Sequence, residues 1–437
     1  MINHIFQDYI NNYRKENIFI EPFFEGKIIV EKTNNITIQE GKNFILKKRK
    51  VFTLTETFDG CLNYYFSVYK MNTFYVLFYR AWDKLNKSHN SCNFAYSISD
   101  TGLDFTKKGI LLQNKLHAHN FYPYFYNNKI IGLGGTSLYT KGLDVFELRN
   151  NSFSITKNNI INKKIMLSTE WHPQGNHFDS LNTINYHENK FYLHVRHNSL
   201  KNPSRQTQLF ITKDLIQLSK PKICCYKDNK VIKKPYYYAG VVEYTHTNYN
   251  LSIPTYFINS LHKYCDSLFF TKKNDQLNFT KINKLSLNKN CSFVNGMVPN
   301  FKNNKYLIYV VNNYGNTNLH VDCFSIEKDR FRCISCIGVG YCKIKISNRF
   351  NITDFINNFF INFESFQNGY INIQIINSNN KVYYKSDNIK GNHIEYKIKF
   401  RNVKKIDSFD NLYLLFNIND CCIYSYKIKS GHFVTAP

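Results

Sequence analysis

Apolar residues along this chain come in short runs between polar turns, and one kind of turn returns at a nearly fixed interval. An asparagine-led turn runs into an apolar stretch at Asn72-Thr73-Phe74-Tyr75-Val76-Leu77, Asn128-Lys129-Ile130-Ile131, Asn189-Lys190-Phe191-Tyr192-Leu193, Asn250-Leu251-Ser252-Ile253 and Asn304-Lys305-Tyr306-Leu307-Ile308. The asparagines lie 56, 61, 61 and 54 residues apart (128−72, 189−128, 250−189, 304−250). Each unit then offers a second hairpin. Ala95–Ser99 precedes Asp100-Thr101-Gly102, Val145–Leu148 precedes Asn150-Asn151, and Leu209–Ile211 precedes Lys213-Asp214. Leu268–Phe270 precedes Asn274-Asp275, and Cys323–Ile326 precedes Lys328-Asp329. Asp, Asn and Gly at these points are turn chemistry between strands. Five units of four short strands predict a five-bladed β-propeller over residues 51–340, in preference to an irregular pair of β-sandwiches.

From about Tyr341 the pattern tightens to strict alternation, at Tyr370–Ile375, Ile394–Phe400, Leu412–Phe416 and Cys422–Tyr426. Alternation of period two marks strands with one buried face, so residues 341–437 are expected to form a β-sandwich. Residues 1–50 read as one short helix (Ile5 to Tyr13) followed by strands packing on the propeller. The fold class is therefore all-β.

Composition agrees: 43% of the 437 residues are hydrophobic and 16% aromatic, mostly Phe and Tyr, which favours strands and argues against disorder. The formal charge is +26 (57 minus 31). Such a surplus attracts anions weakly and without a specific site. The densest basic run, Lys47-Lys48-Arg49-Lys50, reads as a solvated loop. The basic residues are otherwise dispersed without an aromatic-interleaved stripe, so no specific nucleic-acid partner is expected. Twelve cysteines show no disulfide-scaffold spacing. Cys333-x-x-Cys336 has metal-type spacing but no companion pair, so no metal is expected. Scattered thiols suit a reducing compartment. The first residues lack the pattern of a signal peptide, and no apolar run approaches the ~20 residues of a membrane helix. The expectation is a soluble protein without membrane insertion, cytoplasmic or part of a virion.

The most chemically suggestive stretch is Gly175-Asn176-His177-Phe178-Asp179-Ser180-Leu181-Asn182-Thr183-Ile184. A carboxylate and an amide stand just before an apolar strand, with Arg196 and Arg205 around the next turns. Such a group can grip a hydroxyl-rich ligand.

The ordered pieces Phe78-Tyr79-Arg80, Ser97-Ile98-Ser99-Asp100-Thr101-Gly102, His119-Asn120-Phe121-Tyr122-Pro123, Leu133-Gly134-Gly135, Phe178-Asp179-Ser180-Leu181-Asn182 and Asp266-Ser267-Leu268-Phe269-Phe270 together resemble the five-bladed propeller glycosidases of the invertase, levanase and arabinanase kind. The chain looks closest to a glycosidase-related branch with an appended β-sandwich. The resemblance implies a site in the central funnel, where one carboxylic acid protonates the leaving oxygen and a carboxylate supports the sugar. It needs no cofactor. Mapped by position, it offers Glu56 or Asp59 in the first blade, Asp179 in the third and Glu243 in the fourth. His119-Asn120 stands where the second blade would carry an Asp, and the fifth blade offers only Asn295.

Asp179 is the leading candidate for a catalytic carboxylate, with Glu243 or Glu170 as proton donor. Ser180, Asn182, Arg196, Arg205, His119, Asn120, His172, Trp171 and Asn295 are candidate ligand contacts. Each has a plainer reading: Asp179 as a turn cap, the arginines as internal ion pairs, the histidines as satisfied interior groups, and Trp171 and Trp82 as packing. Two functions follow. One is a glycoside hydrolase-like protein cleaving or binding an oligo- or polysaccharide. The alternative is a catalytically inactive glycan-binding or structural propeller, such as a component of a large DNA virus particle.

Overall fold

The structure, a computed structural model, describes residues 18–22, 29–55, 58, 61–71, 73–82, 92–113, 116–126, 129–136, 140–149, 152–162, 178–187, 189–198, 205–228, 230–231, 236–238, 241–243, 249–257, 264–265, 267–273, 277–285, 291–300, 303–313, 317–346, 350–404 and 411–429. The expected helix at 5–13 lies outside them. The chain forms two compact units. One contains Phe44–Tyr244 and Asn248–Ser325, the other Arg14–Asn43 and Ile326–Pro437.

In the first unit the chain builds successive antiparallel groups of four strands. Cys61–Lys70, Tyr75–Trp82, Cys92–Ser99 and Lys107–Leu112 form the first, and Tyr122–Tyr126, Lys129–Gly134, Gly142–Arg149 and Ser152–Asn162 the second. Thr183–His187, Lys190–Asn198, Arg205–Thr212 and Lys222–Asp228 follow, then Val241–Glu243, Tyr249–Ser252, Ser267–Lys273 and Asn278–Leu285. The last group joins Ser292–Phe293, Val298–Asn300, Lys305–Asn312 and His320–Glu327 to a strand from far earlier in the chain, Ile45–Thr53. That early strand buries Val51 and Phe52 and locks the end of the unit to its beginning. Asn295 bridges to Ser67 on the first group's opening strand and closes the same seam from inside.

The first two groups pack face to face, as neighbouring blades of a propeller do. Phe78 and Phe94 of the first group meet Phe121 and Phe146 of the second. The third and fourth are joined edge to edge instead: Cys225–Lys227 pairs parallel with Asn278–Thr280, and Tyr192, Leu209 and Tyr226 cluster there with Phe279. Each fully buried side chain of this size is worth roughly 1.5–3 kcal/mol, so these apolar seams hold the groups together.

The turns follow their sequences. Ser99 Oγ accepts from the amides of Gly102 (2.9 Å) and Asp104 (3.2 Å), and Gly102 takes the left-handed φ of +76°. Asn189 and Asn304 also sit at positive φ in tight hairpins. Asn250 breaks the pattern. It lies within a strand, is buried, and accepts from the Asn185 amide at 3.3 Å, so a polar residue expected at a turn is instead a polar contact inside the unit. The run Lys47–Lys50 lies on the outermost strand of its group, not in a loop. Charges there blunt a free sheet edge, and Lys48 pairs with Asp104.

The second unit is built on three long strands, Arg332–Lys345, Phe359–Ile376 and Tyr413–Lys429. The first runs straight through the sequence position 340/341. The third contains both Leu412–Phe416 and Cys422–Tyr426 as one strand, apart from Leu412. Eighteen residues span roughly 59 Å when straight, whereas a compact unit of about 110 residues is roughly 35 Å across. All three strands therefore bend, at one level. The register slips between Cys336 and Val339, between Ser365 and Tyr370, and Asp420 between them takes a φ of +45°. Residues from both halves, such as Ile334, Phe363 and Ile423 with Ile344, Ile373 and Phe416, share one core, as in a β-sandwich. Strands at 18–22, 29–32 and 36–40 are hydrogen-bonded into this unit. A six-residue helix, Ile352–Asn357, capped by the Asn351 side chain, was not foreseen. Cys333 and Cys336, three apart on a strand, face opposite sides and cannot share an ion.

Candidate functional site

The first unit gathers a polar cluster around Asp179, in the segment leading into the third group of strands. Its members come from the first two strands of the first group (Tyr65, Arg80), the short helical turn Leu116–Asn120 before the second group (His119) and the second strand of the third group (Arg196). Asp179 Oδ1 accepts from Tyr65 Oη at 2.8 Å and from His119 Nε2 at 2.7 Å. Tyr65 also lies 3.2 Å from the Asp179 carbonyl, which Arg196 contacts through a guanidinium nitrogen. His119 is buried, while the Asp179 side chain retains 25% exposure. Among the described residues, no donor is bonded to the second carboxylate oxygen.

Arg80 completes the cluster from the first group. One of its guanidinium nitrogens lies 3.0 Å from both ring nitrogens of His119. A point equidistant from both at that range lies over the ring face, not in its plane, so the guanidinium stacks on the imidazole. It also lies 4.6 Å from the Trp82 ring and 5.0 Å from that of Tyr65. Trp82, 6% exposed, therefore packs within the cluster. Burial works to raise the Asp179 carboxyl. The hydrogen bond and charge of His119, with the charges of Arg196 and Arg80, outweigh it and hold the group well below the usual carboxylate range. Asp179 is thus a carboxylate at neutral pH, suited to act as a base, a nucleophile or a stabiliser of positive charge, and not as a proton donor. Nearby, burial pushes the Cys92 thiol up to about 11.

The segment carrying Asp179 is held by two asparagines. Asn120 donates to the carbonyls of Phe178 (2.6 Å), Gly135 (2.8 Å) and Ser180 (3.1 Å), and accepts from the Gly135 amide at 2.9 Å. Asn182 donates to the carbonyls of Phe178 and Ser180 and accepts from the Arg196 amide. This explains why an amide, and not an acid, follows His119: a carboxylate has no hydrogen for these carbonyls. Gly135 makes the contact feasible, since at φ +126° a Cβ there would lie 2.4 Å from the Gly142 carbonyl oxygen.

The structure thus brings together Asp179, His119, Asn120, Ser180, Asn182 and Arg196. Asn295 lies on the last group's innermost segment, buried beside Ser67. Its side-chain amide has no hydrogen-bond partner among the described residues, while its backbone N–H donates to the Phe66 carbonyl at 2.8 Å. Glu243 and Arg205 are placed only by their backbones, in Val241–Glu243 and Arg205–Thr212. Glu56, Asp59, Glu170, Trp171 and His172 lie outside the described residues. Tyr65 and Arg80 were not singled out as site residues by sequence. Among the described residues no group of three or more His, Cys, Asp or Glu is arranged to hold a metal ion, and no helix is long and apolar enough to cross a membrane.

No protein-family model and no curated protein matches the sequence. Solved structures do match in fold, and several of them are glycoside hydrolases. An α-L-arabinofuranosidase from Podospora anserina, in complex with cellotriose, aligns over 64% of this chain and 96% of its own, at 6% identity and a TM-score of 0.47. A family 43 arabinoxylan arabinofuranohydrolase from Bacillus subtilis, in complex with cellotetraose, aligns over 85% and 96%, at 9% identity and 0.38. A family 117 glycoside hydrolase from the marine bacterium Zobellia galactanivorans aligns over 67% and 91%, at 12% identity and 0.40. Likeness at this level concerns the path of the chain. The chemistry has to be argued from the site's own atoms.

Proposed function

We propose that the first unit is a glycosidase-like carbohydrate site in which Asp179 is the carboxylate that faces the sugar. One observation carries this reading: in a buried cluster of donors, Asp179 alone keeps a quarter of its side chain exposed, with one oxygen clamped and the other unbonded among the described residues. Glycosidic cleavage also needs a protonated acid ~5–5.5 Å away for retention or ~6.5–9.5 Å away for inversion. Glu243 or Glu170 is assigned that part. Asn120 and Asn182 act as supports that fix the height of Asp179.

The test is turnover of a panel of aryl glycosides and natural oligosaccharides by wild type and Asp179→Asn. Hydrolysis that falls thousands-fold in Asp179→Asn, about 4 kcal/mol of barrier, supports the reading. Turnover indifferent to the substitution removes Asp179 from the site. A second reading, glycan binding without cleavage, draws on Asn120: the position that would carry another funnel carboxylate holds an amide committed to main-chain carbonyls. Silence across the panel, with glycan-array binding that Asp179→Asn weakens, would favour it.

A further inference from the structure

Among the described residues, only two aromatic residues adopt a left-handed backbone, Tyr65 at φ +58° and Phe178 at φ +65°, and both touch the Asp179 segment. Bulky side chains rarely take this conformation without being forced into it. Phe178 immediately precedes Asp179, and its carbonyl is gripped by Asn120 and Asn182. Tyr65 is the less expected case, because it lies inside the strand Cys61–Lys70. There the pairing with Tyr75–Trp82 slips twice, between Cys61 and Tyr64 and between Tyr64 and Ser67. The slip is a bulge, and a bulge re-aims a side chain. The ring of Tyr65 is buried at 2% exposure, yet its hydroxyl ends 2.8 Å from Asp179 Oδ1.

We infer that Tyr65 is a positioning residue, set by the bulged strand so that its hydroxyl and His119 Nε2 together clamp Asp179 Oδ1 and leave the other carboxylate oxygen as the one that meets the ligand. Two donors on one oxygen fix the rotation of the carboxylate, and with it the direction of the remaining lone pairs. They also hold the group ionised. The charged or titratable groups facing Asp179 are His119 from the second group's entry, Arg80 and Cys92 from the first group, Arg196 from the third and Tyr65 itself. Of the two donors on Oδ1, Tyr65 is the neutral hydroxyl, whose contribution can be deleted without changing a charge. The inference rests on Asp179 being the carboxylate that faces the sugar, and its test is chosen to stand apart from that reading.

Tyr65→Phe keeps the ring, its burial and the strand, and removes the hydroxyl alone. The full chain labelled with 13C at aspartate carboxyls is titrated by NMR, with Asp179→Asn identifying the resonance. In wild type the Asp179 signal should stay in its ionised position down to pH ~3, below the ordinary aspartate value. In Tyr65→Phe it should titrate at a clearly higher pH. On any glycoside the wild type cleaves, the acid limb of kcat/KM should move up by the same amount, with kcat reduced tenfold or more and KM within twofold. Should Tyr65→Phe fail to fold, 3-fluorotyrosine placed at position 65 keeps the shape and makes the hydroxyl a stronger donor, and the Asp179 titration should then move down. An Asp179 signal unmoved by a folded Tyr65→Phe, or by the fluorotyrosine, overturns the inference. If no glycoside is cleaved, the hydrolase reading fails while the carboxyl titration still decides the role of Tyr65.

Discussion

Each unit of this protein buries an arginine among polar partners, and the two clusters are finished differently. In the second unit Arg330 is fully buried and every nitrogen is used. Nε donates to Asn362 (2.9 Å), one terminal nitrogen to Glu327 (2.6 Å), the other to Asn392 (2.7 Å) and the Phe363 carbonyl (3.2 Å), and the guanidinium lies 4.6 Å from the Tyr424 ring. In the first unit Arg80 and Arg196 surround a carboxylate of which one oxygen is doubly held and the other bonded to nothing described. The backbone beside it sits at two left-handed aromatics. A closed cluster ties strands together, and the one left-handed residue beside it, Asp329 at φ +60°, is of a type that takes that conformation far more readily than an aromatic. An open one, supported at such cost in backbone freedom, is arranged for something that arrives from outside.

If that contrast holds, the largest loss of stability should come from opening the closed cluster. Arg330→Met removes four hydrogen bonds and strands Asn362 and the Phe363 carbonyl in the interior. Breaking a buried charged network costs about 3–5 kcal/mol, so the second unit should unfold at markedly lower urea than wild type, seen by circular dichroism or hydrogen exchange. A change below about 1 kcal/mol would mean that the network is not structural.

Asn120→Asp is nearly isosteric and restores the acid that the resemblance would place there. It should nonetheless damage the protein, by about 3 kcal/mol at pH 7, because a buried carboxylate would face three carbonyl oxygens without a proton. The sign with pH is diagnostic. The new carboxyl would have a folded pKa raised above its unfolded value, so the variant should approach wild type below pH ~4 and lose ground as pH rises through the folded value. A variant as stable as wild type at neutral pH would show that the amide is not what holds the Asp179 segment.

These two arginine clusters also show what was legible beforehand. The turn spacing and the change to strict alternation point to the strand groups and the second unit, because both are local patterns. Leu412–Phe416 and Cys422–Tyr426 read as separate runs for a local reason as well: the polar Asn417–Asp420 stretch interrupts the apolar pattern, yet Asp420 is a bend inside one strand. Asp179, Asn182 and Arg196 stand close in sequence and declare themselves. His119 and Tyr65 reach Asp179 from 60 and 114 residues away. In Asn63-Tyr64-Tyr65-Phe66 nothing local separates a core tyrosine from one that is turned toward a carboxylate; only the backbone angle does.

A smaller effect concerns the charge on Asp179. Its folded pKa is depressed, so it contributes stability that is present above the unfolded value, near 3.9, and is lost as pH falls below it. Urea midpoints of wild type and Asp179→Asn should therefore converge as pH drops from 5 to 3. Parallel curves would show that His119 and the arginines do not stabilise the ionised form.

The smallest expected effect tests whether satisfaction in the interior, rather than charge pairing as such, is what separates the clusters. Arg401 and Asp387 make a good contact at 2.8 Å, in the same unit as Arg330, but their side chains are 75% and 66% exposed. Both ions keep most of their water whether or not they meet, so the pair gains little over solvation and restricts two flexible side chains. Arg401→Ala should change the stability of the second unit by no more than about 0.5 kcal/mol, and less in 0.5 M salt, where the Debye length falls to roughly 4 Å. Set beside Arg330→Met, the ratio of the two losses is the useful quantity. A ratio of six or more means that burial and complete hydrogen bonding give Arg330 its weight. A ratio near one would leave pairing alone as the cause, and the open carboxylate of Asp179 would lose its contrast with the closed cluster.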